Sequence, residues 1–573
     1  MNIEILGVIL TFILTVLLAI PIGNYFAKIF AGEKSLLDFL SPVENFIFHI
    51  CGIDAKKEMT WKENLVALLS INLVWFIYAI VMLMVQGSLP LNPDHNPSMS
   101  PDLAFNTAIS FLTNTNLQDY SGESGVSYLI QIGVLTFLQF VSAATGVAAL
   151  TVVLSAMKER TADKLGNFYN YFMKTLTRVF LPLSIIVAIL FLVNGMPMTF
   201  HGKNSIVSLQ GDTVQVSRGP VAAMIPIKHL GTNGGGFFGT NSAHPFENPN
   251  YFTDLLELLS QSVLPFALVF ALGFYLRRRK LALMIFGVMT VGFLMLTIPT
   301  VMSEMKGNPL IAQMGIDMHS GAMEGKEVRF GAAISGYWSI LTTVISTGSV
   351  NAMHESFMPI SKMDQMLAMM VNCFYGGKGV GILNFYIFII IAVFISGLMV
   401  GRTPEFLGKK IEAKEMKIAV LIALLHPFLI LTCTALASYF SVHDTAGWLF
   451  GGAKASSLLG NPAYGGFSEM LYQFTSASAN NGSGFAGLTA NNPFWNITAG
   501  FVMILGRYLP IIGPVAIAGI LANKKYVPES AGTLKTDTVT FGLMVFSVIM
   551  IIAALAFFPA LTLGPIAEHF SMK

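Results

Sequence analysis

The stretch Ser478-Ala479-Asn480-Asn481-Gly482-Ser483-Gly484 is small and polar in a chain that is otherwise strongly apolar. Three stretches of the same character precede it: Thr113-Asn114-Thr115-Asn116, Gly231-Thr232-Asn233-Gly234-Gly235 and Ser346-Thr347-Gly348-Ser349. They lie about 115 to 135 residues apart. This recurrence predicts four copies of one unit, each bringing one polar loop to a common axis.

The rest of the composition sets the medium. The 573 residues are 54% hydrophobic and 11% charged, with mean hydropathy +0.67. A soluble domain carries about 25% charge, so the chain reads as a polytopic membrane protein in contact with lipid. A net charge of +2 gives no basic surface for nucleic acid. Cys51, Cys373 and Cys433 are far apart and fit no metal or redox spacing; they read as packing residues. The start, Met1-Asn2-Ile3-Glu4, lacks the positive region of a cleavable signal, and the first apolar run is too long for one.

A spanning helix needs ~20 mostly apolar residues. Ten runs qualify: 3–26, 65–85, 126–154, 172–193, 255–276, 281–301, 366–400, 418–440, 497–522 and 539–558. The seventh is long and holds Gly376-Gly377-Lys378-Gly379-Val380-Gly381, so a break is expected in its middle. Lys and Arg cluster after the odd-numbered spans, as in Lys56-Lys57 and Arg277-Arg278-Arg279-Lys280, whereas residues 87–125 contain neither. The rich side faces the cytoplasm, which puts both termini and all four polar loops outside.

Each polar loop follows a short amphipathic segment: 101–112, 220–230, 332–345 and 466–476. None is long enough to cross a bilayer, and Pro101 and Pro220 suit a first helical turn. The expected fold is an all-α polytopic membrane protein with ten transmembrane helices. Four tandem helix–pore loop–helix repeats in pseudo-fourfold arrangement are flanked by one extra helix at each end. The division is 1–62 for the N-terminal helix and inner loop, then repeats at 63–164, 165–280, 281–415 and 416–525, then 526–573 for the last helix.

Irregular backbone at membrane depth is tolerated where it is buried in protein or lines a wet cavity. Four such loops at one depth make an ion filter, in which carbonyl oxygens replace a hydration shell. Gly permits the required backbone, and Asn and Thr add side-chain oxygens. A helix entering from outside aims its C-terminus, with roughly −0.5 charge, at the membrane centre. The loop cores lack Asp and Glu. Neutral oxygens with helix dipoles suit a monovalent, weakly hydrated cation such as K⁺ better than Ca²⁺, which recruits carboxylates. Any one loop alone would read as an external turn; it is the fourfold recurrence that favours convergence.

With these loops in place, the sequence resembles the KdpA family, the potassium-binding subunits of Kdp-type K⁺-transporting P-type ATPases. The likeness is carried by Phe105-Asn106-Thr107-Ala108 with the first loop and by Leu230-Gly231-Thr232-Asn233-Gly234-Gly235-Gly236-Phe237-Phe238. It continues in Asn241-Ser242-Ala243-His244-Pro245-Phe246-Glu247-Asn248-Pro249, Gly401-Arg402-Thr403-Pro404-Glu405 with Leu407-Gly408-Lys409-Lys410, and Asn480-Asn481-Gly482-Ser483 with Phe485-Ala486-Gly487-Leu488. It covers nearly the whole chain.

The resemblance implies a K⁺ transporter fold whose subunit selects K⁺ while a separate P-type subunit (KdpB-like) hydrolyses ATP. KdpC-like and KdpF-like companions and a bacterial or archaeal inner membrane are implied with it. The filter positions it implies are Asn114, Thr115 and Asn116; Thr232, Asn233 and Gly234; Thr347 and Gly348; and Asn480, Asn481 and Gly482. The third loop matches least closely, since some relatives carry Cys before its Gly. Leu117 stands where relatives carry Trp.

Arg507, in Gly506-Arg507-Tyr508, lies inside the ninth span, and an intramembrane charge is a functional candidate by default. It resembles a family Arg below the filter that controls ion passage; the alternative is an Arg satisfied by helix-end carbonyls or snorkelling to the inner surface. Lys378 lies in the glycine-rich break, where the resemblance puts a gating region. It would repel or replace K⁺ there, or else reach the interface or pair with a carboxylate. Gln118 joins these two as a candidate for controlling passage. With Asp119 and Glu123 it follows the first loop, at the outer mouth or in a solvated turn.

Gly234-Gly235-Gly236-Phe237-Phe238-Gly239 satisfies G-x-G-x-x-G but lacks the strand and βαβ context of a dinucleotide site. The sequence contains no G-x-x-x-x-G-K-[ST] loop and no Asp-Lys-Thr-Gly-Thr motif. Inner connections are mostly under about 40 residues, too short for a nucleotide-binding domain. K⁺ is therefore the expected cargo, no nucleotide is expected on this chain, and energy must come from a partner. Residues 401–417, 523–537 and the first inner connection are the available docking surfaces. Two outer segments, 201–218 and 305–330, are expected to form short strands capping the mouth. The alternatives are a self-sufficient K⁺ channel or ion-coupled symporter of the same superfamily, and a polytopic enzyme. The last lacks any visible His/Asp/Glu set.

Overall fold

The computed structural model describes residues 3–401, 403–528 and 534–572. Arg402, part of the family-like inner motif, and part of the 523–537 segment lie outside the described residues. Ten described helices are long and apolar enough to cross a membrane. In chain order, α1 (Ile3–Ala31) and the inner helix α2 (Ser41–Ile50) precede the first unit, which comprises α3 (Trp61–Val85), the short α4 (Pro101–Leu112) and α5 (Tyr128–Lys158). Then come α6 (Phe168–Val193), the short α7 (Val221–Leu230), α8 (Tyr251–Tyr275), α9 (Arg279–Lys306) and the short α10 (Gly331–Val344). The chain closes with α11 (Pro359–Val371), α12 (Val380–Val400), α13 (Ala413–Val442), the short α14 (Ala463–Ala479), α15 (Pro493–Ala522) and α16 (Val539–Leu561). The helix–short helix–loop–helix unit thus occurs four times, with α1 and α16 outside the repeats.

Sequence-local signals set the helix starts. Thr60 and Glu63 form a capping box ahead of α3: Thr60 N donates to Glu63 Oε2 (2.7 Å) and Glu63 N to Thr60 Oγ1 (3.3 Å). The Asn250 side chain caps α8, and Asn492 with Pro493 starts α15. The α4 helix begins on Pro101, as the sequence suggests. Pro220 instead sits just before α7, at its N-cap.

Burial sorts the spans. The most apolar windows of α5 and α8 are 89% and 83% buried, against 22% for α1, α3 and α13. The first pair encloses the loops, and the others present their faces to lipid. The α1 helix lies along α8 at close range because Gly23 permits it: a Cβ there would stand 2.6 Å from the Ala267 carbonyl oxygen. Thr15 and Ser262 hydroxyls meet across the same seam at 3.1 Å.

The seventh span is broken as expected, into α11 and α12, with residues 372–379 between them. The outer strands are half corrected. Residues 204–207 and 213–216 form an antiparallel hairpin. Residues 305–330 do not form strands beyond an isolated bridge from Lys326 to Ala352; they form a short helix, Pro309–Gln313, capped by Asn308, and turns. On the inner side, Glu405–Phe406 and Lys409–Lys410 make a tight hairpin. Its two turn residues, Leu407 and Gly408, both have positive φ (51° and 74°), as a twisted two-residue hairpin turn requires. Lys409 Nζ turns inward and donates to the carbonyls of Arg160, Ala522 (3.2 Å) and Lys524 (2.6 Å). Part of the expected docking segment is thereby used to tie the repeats together.

Candidate functional site

Each short helix hands its chain to a polar loop in the same way. Thr115 N and Asn116 N both donate to Ser110 O, at 2.9 and 3.0 Å. Asn233 N and Gly234 N both donate to Lys228 O, at 2.9 and 3.3 Å. Thr347 N donates to Thr342 O and Gly348 N to Thr342 Oγ1, at 2.9 and 3.0 Å. Asn481 N donates to Ser476 O and Gly482 N to Ser476 Oγ, at 2.9 and 3.0 Å. The anchor's carbonyl oxygen accepts in all four loops, and in the third and fourth the hydroxyls of Thr342 and Ser476 take the second bond.

The backbone angles repeat too. Positive φ falls on Asn114 and Asn116 (63° and 57°), Thr232 and Gly234 (45° and 85°), Ser346 and Gly348 (50° and 88°), and Asn480 and Gly482 (52° and 99°). In an ordinary strand successive groups face opposite sides; alternating the sign of φ turns successive carbonyls to one side. This fixes the third loop as Ser346-Thr347-Gly348. Ser346 lies in the polar stretch read from the sequence but not among the expected filter positions, because a serine gives no sign of a left-handed backbone.

The loops close into a ring. A Cβ on Gly234 would overlap the Thr347 carbonyl oxygen, one on Gly348 that of Asn481, and one on Gly482 that of Thr115. At the fourth corner the residue is Asn116, and its Nδ2 donates to Asn233 O at 2.8 Å. The carbonyl oxygens of Thr115, Thr347 and Asn481 accept no hydrogen bond among the described residues. Most side chains brace the wall instead: Asn114 Nδ2 donates to Thr232 O (2.7 Å), Asn480 Nδ2 to Thr115 Oγ1 (2.9 Å) and Asn481 Nδ2 to Thr342 O (2.8 Å). Asn116 Oδ1 and Thr347 Oγ1 are buried without a partner. The ring therefore offers mainly backbone oxygens to its axis.

A polar frame holds the second loop from behind. Lys228 Nζ pairs with Glu247 Oε2 at 2.7 Å, both fully buried, and donates to Ser242 Oγ. Glu247 Oε1 accepts from Phe238 N at 2.8 Å. His229 Nε2 lies 2.9 Å from Ser349 Oγ, on the third loop, and 3.3 Å from Glu257. The stretch around His244 and Glu247 is thus scaffold for the loop.

Under the ring lies the glycine-rich break. Gly377 N donates to Ile345 O (2.7 Å) and Lys378 N to Thr232 Oγ1 (3.3 Å), joining the break to the third and second loops. It crosses α5 at Gly146, where a Cβ would overlap the Lys378 carbonyl and stand 3.0 Å from Arg507 Nη2. Arg507 is buried and reaches Ser142 O at 3.4 Å. Lys378 is 0% exposed, and its Nζ has no hydrogen-bond partner among the described residues. Lys378 therefore neither reaches the interface nor pairs with a carboxylate there, and Arg507 does not snorkel. Gln118 is separate from this pair. Its amide donates to Gly236 O (3.1 Å) and accepts from Gly236 N (2.9 Å), stapling the first loop to the second on the outer side.

Above the ring a recess of about 950 Å³ is lined by all four repeats, including Gln118, Asp119, His244, Lys326, Gly348 and Gly482. Residues 325–327 reach it from the segment expected to form strands. Burial pushes the Asp119 carboxyl up to about 7, and its Oδ2 is unpartnered.

Four re-entrant helix–loop units around a ring of carbonyls define a polytopic membrane protein of the pore-loop repeat class. The fold is similar to that of the potassium transporter TrkH from Vibrio parahaemolyticus, with a TM-score of 0.51 at 14% identity over 89% of this chain and 98% of that one. Residues 9–570 match the KdpA family, described as "Potassium-transporting ATPase A subunit". Relatives named "Potassium-transporting ATPase potassium-binding subunit" are 68% identical in Flavobacterium johnsoniae and 55% in Bacteroides thetaiotaomicron, each over 100% of both chains. One in Alicyclobacillus acidocaldarius is 48% identical over 99% of both. The chain belongs to the KdpA family.

Proposed function

We propose that the chain selects K⁺ from the outer side and passes it on within an ATP-driven importer. The observation that carries this is the ring: four equivalent loops, closed corner to corner, with carbonyls and no carboxylate on the axis. Such a site replaces the shell of a weakly hydrated cation without binding a divalent ion more tightly. The ion-facing groups are then the backbone oxygens of Thr115, Asn233, Thr347 and Asn481, with the flanking Asn114, Asn116, Thr232, Gly234, Ser346, Gly348, Asn480 and Gly482 setting the turn. The side chains of Lys378 and Arg507, close below, oppose free passage and make release depend on movement of the break.

The partner that hydrolyses ATP is a P-type catalytic subunit like KdpB, with KdpC-like and KdpF-like chains beside it, in a bacterial or archaeal inner membrane. The names of full-length relatives support this over a self-sufficient channel or symporter. Purifying the chain with and without co-expressed neighbours tests it. K⁺-stimulated ATP hydrolysis is expected from the complex alone; K⁺ flux through the isolated chain would overturn it in favour of a channel.

A further inference from the structure

Helix α2, in the first inner connection, has three faces. At about 100° per residue, Val43, Phe46, Ile47 and Ile50 share a sector about 100° wide. Glu44 and Phe48 occupy a second, and Asn45 and His49 a third. Glu44 and Phe48 are buried against the protein, whereas Val43, Phe46 and Ile50 are 51%, 65% and 67% exposed. Leu36 and Phe39, just ahead of the helix, are also exposed.

The helix is anchored by its polar side. Arg178 Nε and Nη2 grip the Glu44 carboxylate, each at 2.7 Å, while Nη1 reaches Asp38 Oδ1 at 2.5 Å. Thr177 Oγ1 adds a bond to Glu44 at 2.6 Å. Thr177 and Arg178 lie in a π-turn of α6, Leu176–Phe180, a distortion frequent where neighbouring side chains serve a site. The C-terminus is finished deliberately: Ile53 N donates to Phe48 O (2.9 Å) and Gly52 N to His49 O (3.2 Å), with Gly52 at φ 65°, a Schellman end. Ten residues are too few for a stable helix in water.

We propose that α2 is an in-plane membrane helix, held to the protein by Arg178 and laid into the inner leaflet on its Val43–Phe46–Ile50 side. The lipid occupant follows from continuity: the apolar row starts where the exposed flank of α1 reaches the inner surface and ends just before α3, also lipid-facing. A buried side, an apolar side and a wet side are what a helix at the headgroup boundary requires.

The test uses the whole chain in its ATPase complex, reconstituted in phospholipid vesicles with the three native cysteines replaced. Nitroxide labels are placed at Phe46→Cys and Ile50→Cys, with Asn45→Cys and His49→Cys as controls. All four are exposed sites, so folding is not at stake. The expected result is high collision with oxygen and low collision with an aqueous nickel chelate at 46 and 50, and the reverse at 45 and 49. Shielding of 46 and 50 from both reagents would overturn the proposal by showing a protein partner on this face. Chelate access at 46 and 50 would overturn it by showing water there.

Discussion

The Thr115 carbonyl oxygen occupies the space that a side chain on Gly482 would need. The first and fourth loops thus meet backbone to backbone, 367 positions apart in the chain (482 − 115). Two other corners repeat this with Gly234 and Gly348.

Gly234→Asp places both a side chain and a charge at the Thr347 corner. Pushing packed backbone apart costs about 1–3 kcal/mol, and every 1.4 kcal/mol is about tenfold in binding. Discrimination of K⁺ against Rb⁺ and Na⁺ should fall roughly tenfold or more, measured as cation-stimulated ATPase of the complex. Unchanged discrimination would remove the second loop from the filter.

Lys378→Gln replaces the amine by an uncharged amide on a side chain one atom shorter. Assembly of the complex is expected to survive, while the ratio of K⁺ transported to ATP hydrolysed changes. Wild-type uptake together with wild-type K⁺-stimulated ATPase would deny Lys378 a part in gating.

Asp119 gives the outer mouth a pH dependence. Its carboxyl, held up to about 7 by burial, is mostly neutral below that pH and anionic above it. Apparent K⁺ affinity should therefore rise between pH 6 and 8, by less than about fivefold, since one charge at a wet mouth contributes under about 1 kcal/mol. Asp119→Asn should flatten the profile. A wild-type profile with no slope, or one that persists in the variant, would exclude this carboxyl.

Lys228→Met leaves the Glu247 carboxylate buried and unpaired. Breaking such a pair costs on the order of 3–5 kcal/mol, visible as lower resistance of the complex to thermal unfolding. Removing both charges, as Lys228→Met with Glu247→Leu, should recover much of the loss. Equal loss in the two would mean that the frame depends on Ser242 and Phe238 rather than on the ion pair.

The membrane architecture was legible because lipid imposes it: apolar runs of spanning length can only be helices. The short helices were legible where a local signal marks them, as Pro101 does for α4. The ring was legible as composition but not as geometry. Glycine at 234, 348 and 482 signals close approach, whereas Asn116 takes the fourth corner without a glycine and Ser346 takes a left-handed backbone without one. The strands expected in 201–218 did form, as a hairpin. In 305–330, Asn308 and Pro309 start a short helix instead. Contacts such as Arg178 with Glu44 join residues over a hundred positions apart, and no spacing rule reports them.

The most direct measurement is crystallographic: anomalous scattering from the complex with Rb⁺ in place of K⁺. The expected result is a peak on the axis of the ring, within coordination distance of the carbonyl oxygens of Thr115, Asn233, Thr347 and Asn481. Rb⁺ bound elsewhere, with the ring empty under conditions that stimulate the ATPase, would contradict the assignment of these four loops as the filter.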